Sequence, residues 1–263
     1  MTSSSSSAHK VLSLIPFAYF TVTRVKSLRD FAYLAASSWI PAFWLLLRLN
    51  GFGPAEAALS FVAGYLAFIS AYEIGYFVND TWDARHSSGG RARISYTFGM
   101  PYVVLFLIVR ISLWLAIGQA TGWLENTVWI AGYATLAIVF TQHNLAQSKG
   151  LRLASFFQLA TLRFLLPIVS AVPIQSGSLI VLTAILLYTY LRFLAYIDSK
   201  GVLQLAERRD RSFGLRQLVS QVPLIVFVAY LSRSTLLVEL LAYFVLVHTF
   251  WYILGATRNK VAD

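Results

Sequence analysis

The chain contains no cysteine, which excludes disulfides, thiolate metal sites and a cysteine nucleophile. Charge is scarce too: Asp, Glu, Lys and Arg make up 12% of residues, about half the roughly 25% usual in soluble domains. Carboxylates are the scarcer sign, with 11 acidic against 21 basic residues and a formal net charge of +10. His9, His86, His143 and His248 are scattered without ligand spacing, which argues against zinc or haem. What is abundant is apolar: 58% of residues are hydrophobic and the mean hydropathy is +0.67. Apolar runs approach the ~20 residues that cross a bilayer, so an integral membrane protein is expected. In a soluble protein the positive charge would point to nucleic acid. Here membrane lipids and topology account for it, and no nucleic-acid partner is expected.

The Ser-rich start MTSSSSSAHK reads as a disordered tail without the charged region and cleavage site of a signal peptide. Residues 11–23 are apolar but too short to span, and are expected to lie at the interface. Arg24, Lys26 and Arg29 follow as a basic collar. Apolar runs near residues 31–49, 57–78, 99–119, 127–143, 154–173, 179–197, 219–231 and 235–255 predict an all-α, polytopic transmembrane bundle. It would have about eight spans in one domain over residues 24–258, around a central cavity open to the cytoplasmic side, with 259–263 as a tail. With the N-terminus inside, every Lys and Arg falls on the cytoplasmic face except Arg233 and the in-span Arg48, Arg110, Arg163 and Arg192. Both termini are then cytoplasmic, most simply at a bacterial plasma membrane.

Two hydrophilic loops break the apolar pattern, and this orientation opens both on one face. In the first, Asn79, Asp80 and Asp83 lie at i, i+1 and i+4 at a helix end, within about one quadrant. An amide oxygen and two carboxylates make a hard oxygen site suited to Mg²⁺, and Arg85, Arg91 and Arg93 follow as partners for a diphosphate. The alternative is a hydrated polar loop capping a membrane helix. The second loop carries Asp198, Lys200, Glu207, Arg208, Arg209, Asp210 and Arg211. Glu207 and Arg211 alone would make an ordinary surface pair. Together the loops predict two carboxylate clusters facing each other over the bundle mouth.

Glu73 lies two helical turns below Asp80 on the same face, where a carboxylate costs several kcal/mol unless paired or hydrated. It is either a base or cation stabiliser lining the cavity, or the partner of Arg110 or Arg163. Arg192 is close enough to the helix end to snorkel. Gln142, His143, Asn144 and Gln147 form either a polar helix end or an acceptor site.

These residues resemble the UbiA superfamily of intramembrane prenyltransferases. Its first signature, N-D-x-x-D-x-x-x-D after the second helix, is matched by Asn79, Asp80 and Asp83, with Gly75 upstream and Ser87 in place of the last Asp. Its second signature, after the sixth helix, is matched near its start by Asp198 and at its D-x-x-x-G ending by Asp210 and Gly214, with no aspartate between them. Arg24 matches a basic residue before the first helix, and Lys149 to Arg152 lies where members carry a Leu-Lys pair. The similarity runs from about residue 21 to 255, and members usually have one more helix.

The resemblance implies Mg²⁺-dependent transfer of a prenyl group from an isoprenyl diphosphate to a small aromatic or lipophilic acceptor. It would place one Mg²⁺ at Asn79, Asp80 and Asp83 and a second at Asp198 and Asp210. Arg91, Arg93, Lys149, Arg152, Lys200 and Arg24 would contact the diphosphate. A terpene cyclase on the same scaffold, or a catalytically degenerate scaffold or carrier, is the alternative.

Overall fold

A computed structural model describes residues 11–25, 27–83, 98–210 and 212–260; of the side chains of 82, 83 and 255–260 nothing is said. The described residues are helical without strands. After the short α1 (Ala18–Arg24) comes α2 (Leu28–Asn50). Ser27 caps α2 by accepting from the Asp30 N–H, and Gly51 ends it at φ +67°, a left-handed turn that glycine takes without steric cost. Next is α3 (Pro54–Val78), opened by a proline at its first position and prolonged by a wide π-type turn over Asn79–Asp83. α4 (Met100–Ala120) and α5 (Thr127–Leu145) follow, the latter capped by Asn126. α6 (Lys149–Leu165) is capped by Ser148. α7 (Ile174–Ser199) leads to α8 (Phe213–Ser220), α9 (Val222–Ser232) and α10 (Leu236–Lys260).

Among the described residues five helices (α2, α3, α4, α7 and α10) are long and apolar enough to cross a membrane, or six if α8 and α9, bent by 43°, form one broken span. α5 and α6 stand where spans were expected, but are not among these. The large apolar side chains left exposed on helices, such as Val104, Ile108 and Ile111 on α4 and Leu224 and Phe227 on α9, form the surface a bilayer would cover.

Close approach positions the interior. A Cβ at Gly64 on α3 would lie 1.9 Å from the Pro167 carbonyl oxygen, and one at Gly75 would lie 2.5 Å from the Phe140 ring of α5. Only hydrogen fits at either place. One buried core gathers α2, α7, α9 and α10 around Leu45, Leu187, Leu237 and Phe244; another joins α3, α5 and α6 around Phe68, Trp129 and Leu159.

Residues 11–23, expected at the interface, are docked into the bundle: Ser13, Tyr19 and Phe20 are buried. The reason lies in two residues far away in sequence. Glu73 accepts hydrogen bonds from the Phe17 N–H (3.2 Å) and the Phe20 N–H (2.7 Å). Arg110 donates to the carbonyls of Ser13 (3.0 Å), Leu14 (2.6 Å) and Ile15 (3.2 Å). Backbone groups left bare by an irregular segment are costly in an apolar interior, and this pair satisfies five of them. Phe17 itself sits at φ +75°, a strained conformation for an aromatic residue. Its ring is held among Phe20, Phe31, Trp39 and Tyr65.

Candidate functional site

Glu73 and Arg110 are both fully buried and 2.7 Å apart. Of the two readings of Glu73 the geometry matches the ion pair, with Arg110 rather than Arg163 as its partner. Both carboxylate oxygens are taken, so Glu73 holds the N-terminal strap and has no free oxygen to act as a base.

Asp80 is also buried, at the start of the π-type turn. Arg24 at the end of α1 meets its two oxygens at 2.8 and 2.9 Å. The Tyr19 hydroxyl donates to it at 3.1 Å and the Asn79 amide approaches at 3.5 Å. Arg24, expected as a diphosphate contact, therefore lies beside the expected metal ligand, with its guanidinium 4.2 Å from the centre of the Tyr76 ring.

The other expected site residues divide. Asp198 ion-pairs with Arg208 and accepts from the Leu205 N–H at 3.0 Å. Asp210 pairs with Arg216 at 2.9 Å. Hydrogen bonds from the Ser212 N–H and hydroxyl, with a smaller contribution from Arg216, hold the Asp210 carboxyl below the usual range. Each of these aspartates is thus bound within its own loop. Lys149 is exposed in the first turn of α6, and the Arg152 Nε donates to the Ala146 carbonyl at 2.7 Å. Lys200 is exposed with its ammonium 5.7 Å from the Tyr196 ring centre. Gly214 has a packing role, since a Cβ there would lie 2.6 Å from the His248 ring. Arg85, Arg91, Arg93, Ser87, Arg211 and the side chain of Asp83 lie outside the described residues.

Mg²⁺ asks for near-octahedral oxygen ligands at about 2.0–2.1 Å. Among the described residues no three acidic or imidazole side chains come together, and Asp80 already receives Arg24 and Tyr19. Asp80 could ligate such an ion only by giving up Arg24, and the Asp83 side chain lies outside the described residues.

Sequence reading alone missed what gathers around Tyr76 and Tyr188. Arg163 of α6 donates to the Tyr76 hydroxyl at 3.2 Å and lies 5.0 Å from the Phe20 ring centre. Arg192 of α7, expected to snorkel, lies 4.5 Å from the Tyr188 ring centre. Neither has a carboxylate within ion-pair distance among the described residues. Tyr72, Tyr76 and Phe140 pack ring to ring next to them, and Phe164 bridges to Tyr188. An arginine at the bilayer centre costs about 2.5–3.5 kcal/mol even on the mildest scale. The place of Arg163 and Arg192 within apolar runs of the sequence was the available signal. The arrangement can hold an anion against Arg24 and Arg163 and shelter an apolar or cationic group against the rings.

Comparison with family models, curated proteins and solved structures found no match.

Proposed function

We propose that this membrane protein binds an isoprenyl diphosphate and transfers its prenyl group to a small aromatic or lipophilic acceptor. The observation that carries this reading is a pair of arginines within helices, Arg163 and Arg192, without carboxylate partners among the described residues and set against aromatic rings, Arg163 at Tyr76 and Phe20 and Arg192 at Tyr188. An anionic head and a long apolar tail suit such a place. As the allylic C–O bond breaks, its electron pair leaves with the diphosphate, and guanidinium groups stabilise the charge that builds there. The prenyl carbon bonds to the acceptor, which releases a proton. Tyr72, Tyr76, Phe20 and Phe140 provide a π-rich wall around the electron-poor carbon. Mg²⁺ would enter with the diphosphate, with Asn79, Asp80 and Asp83 as the candidate ligands of one ion and Asp198 and Asp210 of a second. The chain is proposed to cross a bacterial plasma membrane about eight times, its termini cytoplasmic, as its charge distribution favours.

The test is incubation of the purified protein with prenyl diphosphates of graded length and candidate acceptors, with and without Mg²⁺, followed by diphosphate detection and mass spectrometry. Release of diphosphate together with a prenylated acceptor supports the reading. A specific observation favours a second one, a carrier of prenyl diphosphates without turnover: Asp80 is neutralised by Arg24. Saturable binding with no diphosphate release from any substrate would establish the carrier instead.

A further inference from the structure

On the other side of α3 from the Tyr72 and Tyr76 rings lies a cavity. α4 and α5 both pack on α3 and are joined to each other mainly through the turn Trp123–Glu125. The wedge left between them is a groove of about 510 Å³. Ala71 and Gly75 form its floor, with Ile111 and Trp114 on one wall and Ala137 and Asn144 on the other. Ile111 and Ala137 are exposed, so the groove opens outward, on the surface a bilayer covers. Phe140 separates it from the interior cluster: its ring rests on Gly75 and lies 4.8 Å from that of Tyr72.

Two features say what fills it. The Asn144 side-chain oxygen is shielded from solvent and has no hydrogen-bond partner among the described residues. A side-chain amide can turn to offer either its N–H or its oxygen, so it can meet a phosphate ester or a glycerol oxygen. The chain then runs from Leu145, the last lining residue, to the exposed Lys149. An apolar slot with an amide in its lining and an ammonium four residues beyond its last lining residue matches an anionic lipid.

We propose that the α4–α5 groove binds one anionic glycerophospholipid, an acyl chain in the wedge and the phosphate headgroup at Asn144 and Lys149. This inference does not depend on prenyl transfer.

The test uses the full chain in nanodiscs of mixed phosphatidylglycerol and phosphatidylcholine. Each lipid is supplied in turn with a photoreactive diazirine in one acyl chain, and adducts are mapped by peptide mass spectrometry. Phosphatidylglycerol adducts are expected to concentrate at residues 111–114 and 137–145. Ala137→Trp, which fills the wedge, should lower them at least about tenfold, equivalent to 1.4 kcal/mol. Ala134→Trp, exposed on the same helix but outside the lining, should leave them unchanged. Lys149→Gln should reduce the preference for phosphatidylglycerol over phosphatidylcholine. Adducts spread evenly around the belt, or equal labelling by both lipids in the unmodified protein, would overturn the proposal without any variant having to fold.

Discussion

Replacing Arg110 by methionine tests the architecture most sharply, because it removes one half of a buried pair and leaves the other half charged. Glu73 and Arg110 are both inaccessible to solvent and 2.7 Å apart. In Arg110→Met, Glu73 keeps only the Phe17 and Phe20 N–H groups. The carbonyls of Ser13, Leu14 and Ile15 lose their donor at the same time. Breaking one partner of a buried pair costs about 3–5 kcal/mol, which raises the unfolded fraction by about two to four orders of magnitude. The damage should begin at the strap. Hydrogen exchange in detergent is expected to show residues 11–24 losing protection before the spanning helices do. Glu73→Gln with Arg110→Met removes the stranded charge and keeps an amide oxygen for one of the two N–H groups, so it should be the less damaged protein. Unchanged strap exchange in Arg110→Met, or a double variant no more stable than Arg110→Met alone, would refute the reasoning.

Other outcomes follow from the same geometry. Tyr19→Phe removes a buried hydrogen bond to the Asp80 carboxylate and should cost about 1.5–3 kcal/mol in thermal unfolding, with Arg24 still seated. Gly214→Ala puts a Cβ 2.6 Å from the His248 ring; an overpacking loss of about 1–3 kcal/mol is expected, and His248→Ala should relieve it. The Asp210 carboxyl titrates lower in the folded loop than in an unfolded chain, chiefly through Ser212. Its contribution is complete above the unfolded value of about 3.9 and is lost as pH falls through the lower folded value. The Ser212 amide should therefore keep its exchange protection at neutral pH and lose it only in acid; protection lost at pH 5 would contradict this.

The helices were legible because long apolar runs and local caps announce them. Gly51, Pro54, Asn126 and Ser148 mark ends and starts with no help from the rest of the chain. The strap was not legible, since residues 11–24 lack the length of a span and their partners Glu73 and Arg110 stand far off in sequence. Glu73 was recognised as costly, and its partner was narrowed to two arginines, but choosing between them needed helix packing. The same holds for Asp80: spacing put it in an oxygen-rich quadrant, and only the return of α1 put Arg24 against it. Asp198 and Asp210 sit among arginines in the sequence, and each took one from its own loop. The arginine-aromatic cluster escaped because its members, Arg24, Tyr76, Arg163 and Arg192, come from four separate segments.

The guanidinium of Arg163, without a carboxylate partner among the described residues, is proposed to meet an anionic prenyl headgroup. Equilibrium binding of a prenyl diphosphate to the unmodified protein and to Arg163→Met measures this directly. Loss of one charge-assisted contact, worth about 1.5–3 kcal/mol, should weaken binding by at least about tenfold, while binding of an uncharged prenyl alcohol stays the same. Equal diphosphate affinity in the two proteins would contradict the account.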